Sequence, residues 1–430
     1  MAKRSWIKGL GLAVVAAVLV AGGMYWWGSS SSVPPATVDF AKLSPQEFDV
    51  LYKRGEQVFR AGDCAACHSS PTTGAELAGG VPMVTPMGTL YGTNISPSKE
   101  HGIGNWTADD LYRAVAAGIA PGRKNLYPAM PYASYHQVTR ADVDALWVWL
   151  MKQPAVEVAN KPSEMHFPFS IRPAVAMWNA LNRPAAREFD MSVDELVRGK
   201  YLVDVLGHCA ECHSPRTATF AMDASRYLEG NTIEGSYAPA ITPDALSQRG
   251  WTKDDLVRFF RTGVSPQGVM TFRMASVLDH STSRMAEADV RAMAAYLTQN
   301  REMPGPKAQL AAVPEGQVNV KGEHLYLGLC AGCHGAQGAG QPHSSVPMST
   351  NTTAMFPTPI NLIRVIREGV HERDLARGER MQAMPGFADR LSDEEMADLV
   401  NYMRQTWGGR PADVTAAQVA EHVKTIDGSH

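Results

Sequence analysis

This chain of 430 residues has only six cysteines, and they occur as three pairs spaced C-x-x-C, each followed at once by histidine. The runs are Cys64-Ala65-Ala66-Cys67-His68, Cys209-Ala210-Glu211-Cys212-His213 and Cys330-Ala331-Gly332-Cys333-His334. On one helical turn, residues three apart share a face, so the two thiols of each pair project together and the imidazole follows directly. This is the attachment signature of c-type haem, with thiols for two porphyrin vinyl groups and the histidine for the iron. Histidine fills 13 of 430 positions, so its chance arrival after all three pairs has odds of about one in tens of thousands. A zinc site needs ligands in sets of four, and each pair has only its adjoining histidine close in sequence. A thioredoxin-type dithiol does not require the trailing histidine, and no cysteine lies outside a motif to form a structural disulfide. The expected cofactors are three covalently bound haem c, attached at Cys64, Cys67, Cys209, Cys212, Cys330 and Cys333, with His68, His213 and His334 as proximal iron ligands.

Aligning the chain on these motifs exposes a repeat of one helical unit. A basic residue followed by glycine recurs as Arg54-Gly55, Arg198-Gly199 and Lys321-Gly322, nine, ten and eight residues before the first cysteine. Glycine inside a helix costs about 1 kcal/mol against alanine, and close crossing by another helix would explain its recurrence. Each copy then carries Leu-x-Arg-x4-Gly, with Leu111, Arg113 and Gly118, then Leu256, Arg258 and Gly263, then Leu362, Arg364 and Gly369. Thr107 and Thr252 precede two of these helices with an acid three residues on, the pattern of a capping box. Thr358-Pro359 suggests a cap with proline at the first helical position in the third. The last helix of each copy ends on an aromatic, Trp149, Tyr296 or Tyr402. Thr139 and Ser392 can cap the first and third of these helices, whereas Ala286 cannot cap the second.

A methionine on the far side of each iron would close it and raise its potential, as suits electron transfer. Met130, Met274 and Met384 follow the proximal histidines by 62, 61 and 50 residues, each between the Leu-x-Arg-x4-Gly helix and the last helix. Met270 and Met381 are neighbouring competitors that break this register. His136 and His280, each six residues after a proposed methionine, make bis-histidine ligation an alternative. A multihaem peroxidase would need an open iron, and three methionines in register argue against it.

Lys3, Arg4 and Lys8 precede 19 uncharged residues, Gly9 to Trp27, ending in Tyr25-Trp26-Trp27. Such a run spans roughly 28 Å as helix, close to a hydrocarbon core. The basic flank predicts a cytoplasmic N-terminus and the aromatics an interfacial belt. The expectation is a single-pass anchor in the inner (cytoplasmic) membrane with the haem domains periplasmic. The alternative is a signal peptide cleaved at Ala21-Gly22-Gly23. Charged residues make up 19% of the chain and the formal net charge is −3, which offers nothing to nucleic acid.

Proline-rich stretches divide the copies. The expected organisation is anchor and polar tether 1–36, domain 37–153, linker 154–190, domain 191–303, linker 304–314, domain 315–409 and tail 410–430. The apolar segment Ala174–Leu181 in the first linker reads as a helix packed on its own domain rather than on a membrane or partner. The tail shows apolar spacing at Val419, Val423 and Ile426.

Several stretches together carry a family resemblance. They are Thr93-Asn94-Ile95-Ser96-Pro97, Gly102-Ile103-Gly104-Asn105-Trp106, Leu126-Tyr127-Pro128-Ala129-Met130-Pro131-Tyr132, Leu206-Gly207-His208-Cys209 and Ala383-Met384-Pro385-Gly386-Phe387 running on to Glu395. Over residues 45–407 the chain resembles the three-haem cytochrome c subunits of bacterial membrane-bound dehydrogenases acting on alcohols, sugars, sugar acids or aldehydes. The loop 342–357 lacks that family's Pro-x-Leu-x-Gly pattern. The resemblance implies an all-α fold of three consecutive cytochrome c domains after one N-terminal transmembrane helix. It implies a redox subunit, not itself an enzyme. Its partner would be a large catalytic subunit with a flavin, quinone or molybdenum cofactor, with or without a small subunit. Electrons would pass on to membrane ubiquinone or a terminal oxidase. A stand-alone or oxidase-docked cytochrome is the alternative.

Overall fold

The computed structural model describes residues 2–306, 319–342, 344–374 and 380–428. Residues 307–314 of the second expected linker and the start of the third expected domain, 315–318, lie outside them. The described chain forms two compact units, residues 1–191 with 204–208, and residues 192–203 with 209–430. The first motif belongs to the first unit, and the second and third motifs to the second.

Helices supply the packing elements. In the first copy an opening helix (Pro45–Ala61) leads into the motif turn (Cys64–His68), a middle helix (Ala108–Ala117) and a closing helix (Arg140–Leu150). In the second copy the opening helix Glu195–Lys200 continues as a π-helical stretch, Tyr201–Leu206, before Ala210–His213, Lys253–Thr262 and Glu287–Thr298. The third has Val320–Leu329, Ala331–His334, Ile360–Glu368 and Asp393–Gly408. An all-α description omits the eleven short strands among the described residues, all in antiparallel ladders that close the loops.

The recurrent glycines are crossing points. A Cβ on Gly55 would overlap the Ala145 carbonyl and stand 2.7 Å from Trp149 Cβ. At Gly199 the obstacles are the Ala292 carbonyl and Tyr296 Cβ at 2.8 Å, and at Gly322 the Asp398 carbonyl and Tyr402 Cβ at 2.7 Å. Each opening helix thus touches the backbone of its closing helix, one turn before the closing aromatic. The basic residue beside the glycine ties the same crossing: Arg54 Nε donates to Asp142 at 2.7 Å, and Arg198 holds Asp289 with two bonds of 2.8 Å. In the third copy Asn319 Nδ2 donates to Asp398 instead, at 2.9 Å.

The capping expectations are met at Thr107, Thr252 and Ser392, each in a full capping box, and at Thr139, which accepts from the Asp142 N–H. Ala286 makes no cap bond. The third middle helix differs from expectation by one residue. Pro359, with helical φ and ψ, holds the N-cap place, and Thr358 only accepts a long 3.4 Å bond from the Ile360 N–H. Gly118 closes its helix in the left-handed conformation (φ 65°), where a side chain would be strained and would strike the Tyr132 ring.

The polar segment 29–36 is extended and bonded to the first unit. Ser29 is buried and accepts from Asn125 Nδ2 at 2.8 Å, and the Ser30 carbonyl accepts from Arg183 at 2.8 Å. Arg140, 1% exposed, holds the Pro34 carbonyl, Asp109 and the fully buried Asp144 at 2.9, 2.6 and 2.7 Å, while Asp144 also accepts two bonds from Thr37. The first linker also folds back. Asn94 Nδ2 donates to the carbonyls of Val156 and Val158, and the strand Glu164–Met165 pairs with Gly88–Thr89. Ala174–Leu181 lies in a helix, Pro173–Asn182, packed on its own unit through Val175, Ala176 and Asn179. The tail forms a helix, Ala416–Asp427, that buries Val419 and Ile426 in the third copy's core.

Two stability measurements test this frame. Gly322→Ala should lower the unfolding free energy, from denaturation followed by circular dichroism, by about 1–3 kcal/mol, because backbone blocks relief by rotamer change; an unshifted midpoint would refute the crossing. Arg140→Ala should cost about 3–5 kcal/mol by stranding buried Asp144, and Arg140→Ala/Asp144→Ala should recover part of that loss.

Candidate haem-binding sites

Each motif folds into a single turn that begins at or next to its first cysteine. His213 and His334 donate their backbone N–H groups to the carbonyls of Cys209 and Cys330, both at 2.9 Å, closing the turn that sets thiols and imidazole. None of the six cysteines forms a disulfide. Burial pushes Cys64 up to about 12, with Asp63 and Cys67 adding to it, and pushes Cys212 and Cys330 up to about 11. Burial is the largest cause in all three; Asp63 and Arg60 also act on Cys64, and Glu234, Glu211, Arg216 and Arg273 on Cys212.

An iron ligand must be a neutral imidazole, and burial acts in that direction at all three histidines. Burial lowers His213 to about 4 and lowers His68 and His334 in the same direction. In the first two copies the ring is oriented from behind: His68 Nδ1 donates to the Thr93 carbonyl, and His213 Nδ1 to the Pro239 carbonyl, each at 2.6 Å. That bond fixes the tautomer and leaves Nε2, with its lone pair, as the nitrogen able to bind metal. The buried Nδ1 of His334 closes no such bond, although the Val346 carbonyl is the backbone group acting on it. The third copy also lacks the expected loop pattern in this stretch. The donor set therefore fits haem c at all three motifs, and the rear support is complete at two.

Loops seat the motif turns through backbone contacts. Gly79 N–H donates to the His68 carbonyl at 2.8 Å, Gly340 N–H to the His334 carbonyl at 2.9 Å, and a Cβ on Gly92 would overlap the Cys67 carbonyl. The Thr93-Asn94-Ile95-Ser96-Pro97 stretch has two tasks: Thr93 supports the ring, while buried Asn94 and Ser96 hold residues 156–160 of the linker. Sequence reasoning missed the carbonyls of Thr93 and Pro239, because a backbone acceptor leaves no residue-type signature.

The methionines separate by register. Leu126 N–H donates to the Gly118 carbonyl and Met270 N–H to the Gly263 carbonyl, at 2.8 and 2.7 Å. Met270 therefore stands in register with the half-buried Leu126, and it is itself fully buried. Met130 and Met274 each follow that bond by four residues, and both are half-buried. Met274 follows Arg273, whose pair with Glu234 (2.7 and 2.9 Å) lies close enough to act on the Cys212 thiol. The third copy departs: Met384 is bridged to Val370, directly after Gly369, and Met381 is buried in a ladder with Arg373. Both ring nitrogens of His136 are engaged, by the Ala133 carbonyl at 2.7 Å and Gln137 Nε2 at 3.0 Å.

Arg364 is a second residue whose role the sequence hid. Like Arg113, which pairs with Asp110 in its own helix, Arg364 holds Glu368 one turn on at 3.0 Å, but it also reaches from the third copy into the second. Its Nη1 donates to the Glu234 carbonyl and Ser236 Oγ, both at 2.8 Å, and its guanidinium lies 4.4 Å from the Phe272 ring centroid. Asn361 on the same helix exchanges two bonds with the Tyr237 backbone. These contacts join the hairpin Gly230–Pro239, and Phe272 beside Met274, to the third copy inside one unit.

The family described as Cytochrome c matches residues 52–154 and 320–407, in the first and third copies. The gluconate 2-dehydrogenase cytochrome c subunit of Pantoea cypripedii is 37% identical over 408 residues, covering 89% of this chain and 92% of that protein. The cytochrome c subunit of alcohol dehydrogenase (quinone) from Gluconobacter oxydans is 34% identical over 406 residues, covering 89% and 84%. One of the nicotinate dehydrogenase subunits of Pseudomonas putida is 38% identical over 395 residues, which cover 88% of this chain and 32% of that longer protein.

Arg364→Ala should loosen the join between the second and third copies, costing about 2 kcal/mol from lost charge-assisted bonds. Arg364→Lys should not restore it, because a point ammonium cannot stack and reach both acceptors. Urea unfolding with faster cleavage in limited proteolysis is the readout, and wild-type behaviour of Arg364→Ala would exclude the clamp.

Proposed function

This chain belongs to the family of cytochrome c subunits of membrane dehydrogenases, and we propose that it carries three covalent haem c groups in three consecutive cytochrome c domains, 37–153, 191–303 and 315–409. It is an electron-transfer subunit, a redox component rather than the catalytic chain. The observation that carries the count of three is the repeated frame: one glycine-against-aromatic crossing in front of each C-x-x-C-H turn.

Cys64, Cys67, Cys209, Cys212, Cys330 and Cys333 hold the porphyrins as thioethers. His68, His213 and His334 would supply a ring nitrogen to the iron, and Met130, Met274 and Met384 a thioether sulfur. Each bound haem supplies one-electron cycling of its iron between ferrous and ferric. The protein's part is to hold that centre still. Carbonyls of Thr93 and Pro239 keep two imidazoles in the metal-binding tautomer, a methionine sulfur favours the ferrous state, and apolar packing limits water and its reorganisation. No side chain transfers a proton or a group.

The electrons come from a large catalytic dehydrogenase subunit with a flavin, quinone or molybdenum cofactor, with or without a small subunit. They pass to membrane ubiquinone or a terminal oxidase. The substrate of the complex is set by that partner. The N-terminal helix is a single-pass anchor in the inner membrane with the haem domains periplasmic. Supporting this, Leu10–Gly28 is apolar and long enough to span, and its end is built into the first unit.

Haem extraction assays on the purified chain should count three haems, and Cys330→Ala/Cys333→Ala two; a wild-type count of two would overturn the assignment. In the oxidised spectrum, Met130→Leu should remove about one third of the long-wavelength sulfur-to-iron band, and an unchanged band would exclude Met130. Gentle detergent purification should bring down a large dehydrogenase subunit and an intact N-terminus; a lone chain would favour a stand-alone cytochrome.

A further inference from the structure

The helix Pro173–Asn182 packs along the end of the N-terminal helix, Ala2–Gly28. Residues 10–20 of the N-terminal helix are exposed, whereas Ala21, Met24 and Gly28, which share one face, are shielded. At Gly28 the two backbones touch, because a Cβ there would overlap the Ala176 carbonyl. Ala21 and Met24 lie about 6–10 Å up the helix axis from Gly28. The shorter helix therefore runs beside the last two turns of the apolar run, at the level of Tyr25, Trp26 and Trp27.

Its own surface is divided. Val175, Ala176 and Asn179 face the protein, while Met177 and Leu181 (71% exposed) face outward. The segment leading into it exposes Phe167 (81%), Phe169 and Ile171. Residues 167–183 contain no acid, and their only charges, Arg172 and Arg183, turn inward to the carbonyls of Asn125, Ala117 and Ser30. This is a continuous apolar face without a charge, unusual for a surface in water.

We propose that Phe167–Asn182 is a second membrane element, lying in the plane of the bilayer interface with Phe167, Phe169, Ile171, Met177 and Leu181 among the lipid chains. The proposal rests on the reading of the N-terminal helix as a spanning anchor. Lipid is the occupant because this face continues the aromatic end of that helix at the same depth, and an uncharged apolar face beside interfacial aromatics is what an in-plane helix presents. Such an element would add a second point of contact and hold the first unit at a set orientation against the membrane.

The test uses the full haem-loaded chain in phosphatidylethanolamine–phosphatidylglycerol vesicles, with single cysteines at Leu181→Cys, Met177→Cys, Leu19→Cys and Glu100→Cys carrying a polarity-sensitive fluorophore. Labels at 177 and 181 should be quenched several-fold more by doxyl-labelled lipid than by aqueous iodide, as at 19, and opposite to 100. Iodide quenching at 177 and 181 equal to that at 100, with 19 still in lipid, would overturn the in-plane helix while leaving the anchor. Aqueous behaviour at 19 as well would overturn the anchor reading beneath it. Protection of 177 and 181 from both quenchers would show a protein partner instead of lipid, and would also overturn the proposal.

Discussion

Contact between two helix backbones, made three times, is the constraint on which the rest of this protein depends. Where Gly55, Gly199 and Gly322 meet the carbonyls of Ala145, Ala292 and Asp398, no side chain separates the helices. The approach fixes the angle and depth at which the opening helix meets its partner, and the C-x-x-C-H turn follows that helix within a few residues. The site's geometry is thus inherited from a packing contact rather than from the site itself. Phe59 against Trp149, with ring centroids 4.4 Å apart, and Tyr326 against Tyr402 at 5.7 Å fill the space beside two of the crossings.

Around that shared frame the copies solve the same chemical problem unequally. Two imidazoles are braced by a backbone carbonyl at 2.6 Å, and the third is not. Ring orientation depends on such a bond, so the third imidazole is the one most open to changes in its loop. The methionine region shows the same inequality. Met130 and Met274 share a backbone register, while Met384 sits in a bridge to Val370 after a longer loop. A repeat that diverges in its loops and not in its helix crossing is what packing predicts, since loops tolerate change that a backbone contact does not.

Polar residues do much of the joining. Arg140 and Asp144 draw in residues 34–37, Asn94 and Ser96 draw in the linker, and Arg364 with Asn361 binds the third copy to the second. Each of these side chains gives partners to backbone groups of an irregular segment that no helix or ladder pairs. Residues 29–37 and 156–165, which read as tether and linker by their composition, are therefore bound parts of the first unit.

The sequence by itself determined the attachment chemistry, the repeat, the caps and the apolar N-terminal run. These features are local: spacing on one helical turn, an N-cap side chain three residues from its donor, or glycine at a fixed distance from cysteine. Each is complete within a dozen residues and leaves its mark in residue type. Tertiary structure alone decided which carbonyls brace the histidines, that Met270 belongs to the core while Met274 does not, and that three copies make two units. It also decided that Ala174–Leu181 lies beside the N-terminal helix. Those outcomes rest on backbone acceptors and on side chains such as Arg364 that reach across long sequence separations. A carbonyl is the same in every residue, and an arginine reads alike whether it pairs within its helix or spans two copies. Nothing in the order of residues distinguishes those cases until the chain has folded.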